Sequence, residues 1–257
     1  MEERVIDVRT DSGSMPTFVT HPSEKRAFPT VVLYMDVWGV REELFDIARR
    51  IATVGYYCMV PDLYYRQGKV RHEFRNEKNQ MITLDRLDQQ KKAAVLAPLK
   101  KLSDAMVIDD TGALLRFVDA GEPVRPRALG SVGYCMGGRH VFRVGAAFPE
   151  RFRASACLHG TDLVNGTDNS PHRDIAKAEG ELYCGFAEKD RHTPPELVAG
   201  LDRASSQWKV RYRREVHAGA DHGYALPDRD IYDKRAANRD WELIFAMYQR
   251  QMPAYGA

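Results

Sequence analysis

The sequence predicts an α/β fold in which one mainly parallel, twisted sheet of about eight strands carries helices on both faces. Short β-branched runs alternate along the chain with longer stretches of helical periodicity, which is the pattern of strands joined by crossover helices. A length of 257 residues and a hydrophobic content of 44% provide enough material for one large core. We therefore expect a single domain over residues 1–257.

Eight segments are predicted as strands from their β-branched and aromatic content and from the turn residues that bound them. They are Arg4–Arg9, Pro16–Thr20, Thr30–Met35, Tyr57–Val60, Ala128–Tyr134, Arg153–Leu158, Glu181–Phe186 and Val210–Val216. The first two are expected to pair antiparallel at one edge of the sheet, because the turn around Gly13 is too short for a crossover.

Five segments have helical spacing and end at Gly, Pro or polar turns, so they are predicted as the covering helices. They are Glu42–Thr53, Ala105–Val118, Met136–Phe148, Pro195–Ser206 and Lys234–Gln249. The segment 67–104 is dense in charge and apolar only in patches such as residues 93–96. We interpret it as a solvated helical excursion, and the alternative is a cap over the active site.

Composition argues against several classes of partner. Lysine and arginine total 38 against 36 for aspartate and glutamate, so the chain lacks the positive excess that nucleic-acid binding requires. The first residues are acidic and no stretch approaches the ~20 apolar residues of a membrane helix, so we expect a cytoplasmic protein. Neither a dinucleotide motif, nor a P-loop, nor a metal-ligand pair is present, so no cofactor is expected. We expect a monomer or a small homo-oligomer.

The segment 128–142 runs from an apolar strand through a glycine-flanked cysteine into a helix. This is the pattern of a nucleophile elbow, a sharp turn in which the residues two before and two after the nucleophile must be small. Gly133 and Gly137 meet that requirement around Cys135. The helix N-terminus favours a thiolate and supplies N–H groups to an oxyanion. We therefore predict Cys135 as the nucleophile of an α/β-hydrolase fold, and the alternative is a buried structural thiol.

In this fold the acid and the histidine follow the nucleophile in the chain, in loops after later strands. Asp190 lies in the loop after the seventh predicted strand, with Glu188 as the alternative acid. His222 lies in a glycine-rich loop after the eighth, with His217 as the alternative base. His159 follows the strand after the elbow and is a candidate pocket residue.

The motif at 133–138, together with Asp190 and the tripeptide at 222–224, resembles the dienelactone hydrolase family. The segments 31–40 and 60–64 match further landmarks of that family, and the resemblance covers nearly the whole chain. It implies hydrolysis of a five-membered enol lactone to a dicarboxylate in the degradation of aromatic compounds. The resemblance assigns nucleophile, base and orienting acid to Cys135, His222 and Asp190.

The resemblance also assigns the oxyanion-binding amides, which would be those of Met136 and Val37. The elbow itself already predicts the amide of Met136. Further candidates for supporting or pocket residues are Asp36, Trp38, Tyr134, His159 and Tyr224.

The sequence departs from the family pattern at two positions. Asp36 stands where well-known members have a glutamate that contacts the nucleophile, and its side chain is one methylene shorter. Leu226 stands where those members have a substrate-binding arginine, four residues beyond the histidine. Candidate replacements for that cation lie in the charged excursion and are Arg71, Arg75 and Arg86.

These observations predict a hydrolase that cleaves a small ester or lactone through a covalent acyl-enzyme on Cys135. The first alternative is a general carboxylesterase or thioesterase with the same triad, which the loss of the arginine at Leu226 favours. The second alternative is a non-catalytic scaffold of the same fold that binds a small ligand.

Overall fold

The computed structural model describes residues 1–255, which form one eight-stranded sheet with helices packed against it. The strands are β1 (Glu2–Thr10), β2 (Gly13–His21), β3 (Phe28–Tyr34), β4 (Tyr57–Pro61), β5 (Val124–Tyr134), β6 (Phe152–Leu158), β7 (Glu181–Lys189) and β8 (Tyr212–Asp221). The helices are α1 (Glu42–Thr53), α2 (Gln89–Leu99), α3 (Asp104–Asp119), α4 (Met136–Ala147), α5 (Pro195–Gln207) and α6 (Lys234–Gln251).

The strands lie in the order β1-β2-β4-β3-β5-β6-β7-β8. β1 pairs antiparallel with β2 at the edge, as predicted, and β2 pairs antiparallel with β4. All other pairs are parallel. Every residue of β3 and β4 is buried, so both faces of the sheet are covered at its centre. The predicted mainly parallel α/β sheet is therefore confirmed.

Two strands continue further than predicted, and this difference places the site. β7 reaches Lys189 and β8 reaches Asp221, because a register shift after Ala187 lets Lys189 pair with Asp221. Asp190 and His222 therefore follow directly after paired residues. The prediction of a glycine-rich loop before His222 was wrong.

The charged segment 67–104 contains the α-helix α2 and a 3₁₀ turn at Leu84–Arg86, and it follows on from a 3₁₀ turn at Tyr65–Gln67. α2 begins after Asp88, whose carboxylate accepts a 2.8 Å hydrogen bond from the amide of Lys91 and so caps the helix. Met81 forms isolated bridges to Arg75 and Arg229, which tie the irregular part to the rest of the molecule. Of the helices within residues 1–255, none combines the length and apolar character that a membrane span requires.

Candidate active site

Cys135 lies at the turn between β5 and α4, with φ 55° and ψ −116°. A positive φ is unfavourable for a residue with a side chain and persists only where the surroundings enforce it. A Cβ added to Gly133 would collide with the carbonyl of Gly137, and one added to Gly137 would collide with the carbonyl of Tyr34. Backbone packing therefore excludes a side chain at both positions, as the elbow requires. Half-buried Cys135 stands at the edge of the sheet.

The segment after β6 holds this turn from the other side. The amide of Cys135 donates a 3.1 Å hydrogen bond to the carbonyl of Leu158. The carbonyl of Cys135 in turn accepts a 3.2 Å hydrogen bond from the amide of Thr161. Both backbone groups of the strained residue are thus satisfied, which keeps its conformation fixed.

Asp190 and His222 form a hydrogen-bonded pair beside Cys135. Nδ1 of His222 lies 2.7 Å from Oδ2 of Asp190, and Oδ1 of Asp190 accepts a 2.8 Å hydrogen bond from the amide of His192. Asp190 is only 4% exposed, so its carboxylate is held in one orientation. Burial raises the pKa of Asp190, but the hydrogen bond and charge of His222 outweigh it and lower that pKa.

The electrostatic environment of His222 favours its protonated form. Burial lowers the pKa of His222, but the negative charge of Cys135 and the hydrogen bonds to Asp190 and Cys135 outweigh it. The net effect raises the pKa of His222 to about 10. A protonated His222 thus lies beside the sulfur of Cys135 and the carboxylate of Asp190.

Val37 and Met136, the two residues whose amides are expected to bind an oxyanion, line the same cavity as Cys135. Among the described residues, the amides of Val37 and Met136 donate no hydrogen bond to another protein group. The hydroxyl of the buried Tyr64, a residue that the sequence did not predict for the site, lies 3.2 Å from the carbonyl oxygen of Val37 and 3.3 Å from Sδ of Met136, so its one hydrogen is donated to one of the two or shared between them. Tyr64 therefore contacts both residues that carry the expected oxyanion-binding amides.

The cavity encloses about 120 Å³, and its walls differ in character. The inner wall carries polar groups, among them His159, Thr161 and His222. The outer wall comes from the segment 67–104 and is mainly apolar, with Leu84, Leu96 and Leu99.

The alternative acid and base face away from Cys135. His217 lies on β8 with Nε2 2.6 Å from Oδ1 of the buried Asp240 in α6. Glu188 accepts a 2.8 Å hydrogen bond from the exposed amide of Gly219. Neither side chain lines the cavity that contains Cys135.

The remaining predicted pocket residues fall into two groups. Trp38 and His159 line the cavity. Tyr134 and Tyr224 do not line it, because both rings are buried below it, with centres 5.8 and 5.5 Å from that of His159. These tyrosines support the site from beneath.

Asp36 is buried in a cluster of charges. Its carboxylate accepts hydrogen bonds from Arg41 at 2.7 and 3.1 Å and from the amide of Trp38 at 3.1 Å. Arg41 also bonds Asp228 at 2.6 Å. The carboxylate of Asp36 thus accepts hydrogen bonds from Arg41 and Trp38 and makes none with Cys135. Its side chain is one methylene shorter than the glutamate of well-known family members.

Two arginines that the sequence did not predict for the site line the cavity, Arg191 and Arg229. Arg191 is paired with Asp85 at 2.6 Å, whereas Arg229 has a different environment. Its guanidinium lies over the ring of Trp38 with 5.0 Å to the ring centre, and NH1 lies 3.6 Å from Asp36. Leu226, at the expected position, is buried in the core. The only local signal for Arg229 was an arginine between two aspartates shortly after His222.

The three arginines proposed as replacements lie outside the cavity, and each hydrogen-bonds another group of the protein. Arg71 donates to the carbonyl of Val70, Arg75 to the carbonyl of Asn79, and Arg86 to Asp230. None of the three lines the cavity.

A mainly parallel sheet that carries a nucleophile elbow, an acid and a histidine in this chain order defines an α/β-hydrolase. The chain belongs to the dienelactone hydrolase family, whose sequence model matches residues 15–252. It is therefore a hydrolase of that family.

Individual relatives agree with this assignment. A protein of Synechocystis sp., provisionally named a carboxymethylenebutenolidase, is 24% identical over 96% of this chain and 99% of its own. A protein of Methylorubrum extorquens with the same provisional name is 30% identical over 93% of this chain and 78% of its own. The crystal structure of a provisionally named dienelactone hydrolase from Klebsiella pneumoniae matches with a TM-score of 0.83 at 21% identity, covering 97% of this chain and 98% of its own.

Proposed function

We propose that the protein opens a small, anionic lactone through a Cys135–His222–Asp190 triad and a covalent acyl-enzyme. The observation that carries this proposal is the 2.7 Å contact between His222 and Asp190 beside a cysteine held at a strained elbow. An oriented base next to an activated nucleophile is the arrangement that acyl transfer requires.

The reaction proceeds in two steps. The Cys135 thiolate attacks the carbonyl carbon, the ring C–O bond breaks, and the proton of His222 passes to the leaving oxygen. Water then attacks the thioester and gives a proton to His222, and the C–S bond breaks to restore the thiolate–imidazolium pair. The amides of Val37 and Met136 stabilise the oxyanion that forms in each step.

Arg229 favours a substrate with a carboxylate. Its Nε has no hydrogen-bond partner among residues 1–255, and its NH1 is too far from Asp36 for a hydrogen bond. It is almost fully buried and lines the cavity with Cys135. A guanidinium with unused donors binds a carboxylate strongly in such a site. Lactones of the kind that the named relatives suggest carry this group, so we also propose a role in the degradation of aromatic compounds.

We further propose that the segment 67–104 covers the site. Its residues form the outer wall of the cavity, and it bonds to the loops that carry the functional groups. Asp85 pairs with Arg191 at 2.6 Å, and Arg86 pairs with Asp230 at 3.0 Å. These contacts place apolar side chains over the reacting groups, where they exclude water.

The alternative function is hydrolysis of a neutral ester or thioester. The three leucines of the outer wall favour it, because they offer an apolar surface to an uncharged acyl chain. The two functions differ in the role of Arg229, which a neutral ester does not use.

A substrate comparison tests the proposal. Turnover of the dienelactone 4-carboxymethylenebut-2-en-4-olide is compared with that of p-nitrophenyl acetate for the wild-type protein and for Cys135→Ala. Cys58→Ala is the matched control, since Cys58 is buried in β4 away from the cavity. We expect rapid lactone turnover that Cys135→Ala abolishes and Cys58→Ala retains. Turnover of the acetate alone would replace the proposal by the ester alternative.

A further inference from the structure

His159 follows β6 directly and lies in the segment 158–161, which hydrogen-bonds the backbone of Cys135. Its neighbour Leu158 accepts the hydrogen bond of the Cys135 amide, and Thr161 donates to the Cys135 carbonyl. His159 itself has φ 38°, in the left-handed region that residues with side chains rarely adopt. Its own amide donates to the carbonyl of Gly185 at 2.8 Å, so the backbone is fixed. Strained residues of this kind concentrate at functional sites.

The side chain of His159 has no hydrogen-bond partner in the described part of the chain. Both ring nitrogens are unpaired, although the residue is fully buried. Leaving a buried polar group unpaired is costly, and native proteins rarely tolerate it without a function. The neighbouring rings do not help, because the hydroxyl of Tyr224 donates to Asp240 instead. His159 lines the cavity that contains Cys135, so a molecule bound in that cavity is the nearest source of a partner.

His159 is held in its neutral form. Burial, followed by the nearby charges of His222 and Arg229, lowers the pKa of His159 well below its usual value. A neutral imidazole offers one N–H donor and one acceptor nitrogen. It can therefore accept a hydrogen bond from water or donate one to an oxygen.

The rings of His159 and His222 meet edge to face, with centres 5.0 Å apart and planes at 72°. Nδ1 of His222 is occupied by Asp190, so Nε2 is the nitrogen left for the reaction. The spacing of the two rings is of the order of two hydrogen-bond lengths of about 2.9 Å, so the mechanism proposed below requires one oxygen atom to lie between a nitrogen of each ring.

We propose that His159 is a second catalytic histidine, which binds the leaving oxygen during acylation and the attacking water during deacylation. This inference rests on the proposed acyl-enzyme mechanism. In deacylation the water gives one proton to His222 and directs its other hydrogen to His159, while its oxygen bonds to the acyl carbon and the C–S bond breaks. The intrinsic reactivity of the leaving group drives acylation by an activated ester, so His159 matters most for the step with water.

The experiment separates the two steps with p-nitrophenyl acetate. A rapid burst of p-nitrophenol measures acylation, and the later steady rate measures deacylation. Three variants are compared: His159→Asn, His159→Gln and His159→Phe. Asparagine tolerates a left-handed backbone, so it retains the fold, but its side chain is too short to reach the water. Glutamine is longer and keeps a donor and an acceptor, and phenylalanine keeps the ring without either.

We expect His159→Asn and His159→Phe to keep the burst and to lower the steady rate about tenfold, the effect of one lost hydrogen bond in a buried site. The acetyl-enzyme then accumulates and is visible by intact mass. His159→Gln should recover part of the steady rate. The proposal is overturned if His159→Asn slows burst and steady rate equally, or changes neither. Absence of a burst in the wild-type protein would instead overturn the acyl-enzyme mechanism, so the two failures are distinct.

Discussion

The carboxylate of Asp190 lies 2.7 Å from the imidazole of His222 because the neighbouring strands β7 and β8 end side by side. Lys189 pairs with Asp221, and the next residue on each strand leaves the sheet at the same point. The sheet register therefore brings acid and base together, and the amide of His192 in the next loop fixes the orientation of the carboxylate.

Removing the charge of Asp190 should uncouple the pair. Asp190→Asn keeps the size of the side chain but no longer fixes the Nδ1–H tautomer of His222. We expect kcat to fall on the order of 10³-fold with little change in KM, measured with p-nitrophenyl acetate. Asp202→Asn is the control, because Asp202 forms an exposed ion pair with Arg214 on a distant surface. Equal losses in both variants would contradict the assignment of the acid.

The raised pKa of His222 predicts a dependence of stability on pH. In the unfolded chain the pKa returns to its ordinary value near 6.5, and in the folded protein it is about 10. The stabilisation from the charged imidazole is therefore fully present below about pH 6.5 and is lost as the pH rises towards 10. We expect the difference in free energy of unfolding between wild type and His222→Gln to shrink over that interval. A difference that grows with pH would show that His222 is neutral in the folded protein.

Arg229 should discriminate between charged and neutral substrates. In Arg229→Gln the carboxylate anchor is lost, so KM for the dienelactone should rise about 10- to 100-fold while p-nitrophenyl acetate is hydrolysed almost as before. Arg71→Gln is the matched control, since Arg71 lies outside the cavity. Equal effects on both substrates would assign Arg229 to the folding of the charge cluster around Asp36 instead.

Tyr64 should act through the oxyanion-binding amides. Tyr64→Phe removes the hydroxyl that contacts Val37 and Met136, so the two amides lose a common support. We expect kcat to fall about 3- to 10-fold at nearly constant KM. In the control Tyr34→Phe, the lost contact is the 2.9 Å hydrogen bond to Thr111. If Tyr34→Phe lowers kcat as much, the effect reflects general loss of stability.

The sequence predicted those features that depend on neighbouring residues. β-branched runs identified all eight strands, and the glycines around Cys135 identified the elbow because the collision that they avoid is local. Chain order then led to Asp190 and His222. The start of β5 was missed because Pro126 interrupts the apolar pattern, although the strand begins at Val124.

Features that depend on distant parts of the chain escaped prediction. Arg229 and Leu84 both line the cavity although they are far apart in the sequence, and the bridge of Met81 to Arg229 is a contact that no local pattern encodes. The extension of β8 arises from a register shift against β7, which sequence periodicity does not reveal. The ion pair of Arg41 with Asp228, which completes the charge cluster around Asp36, likewise joins residues that are far apart in the sequence.

The most direct test of the central claim is to look for the acyl group on Cys135. The wild-type protein is mixed with p-nitrophenyl acetate, quenched in acid within the burst, and mapped by peptide mass spectrometry. We expect one acetyl group on the peptide that contains Cys135, and none on that peptide in Cys135→Ala. Rapid hydrolysis of the ester without a trapped adduct, or with unchanged turnover in Cys135→Ala, would contradict it.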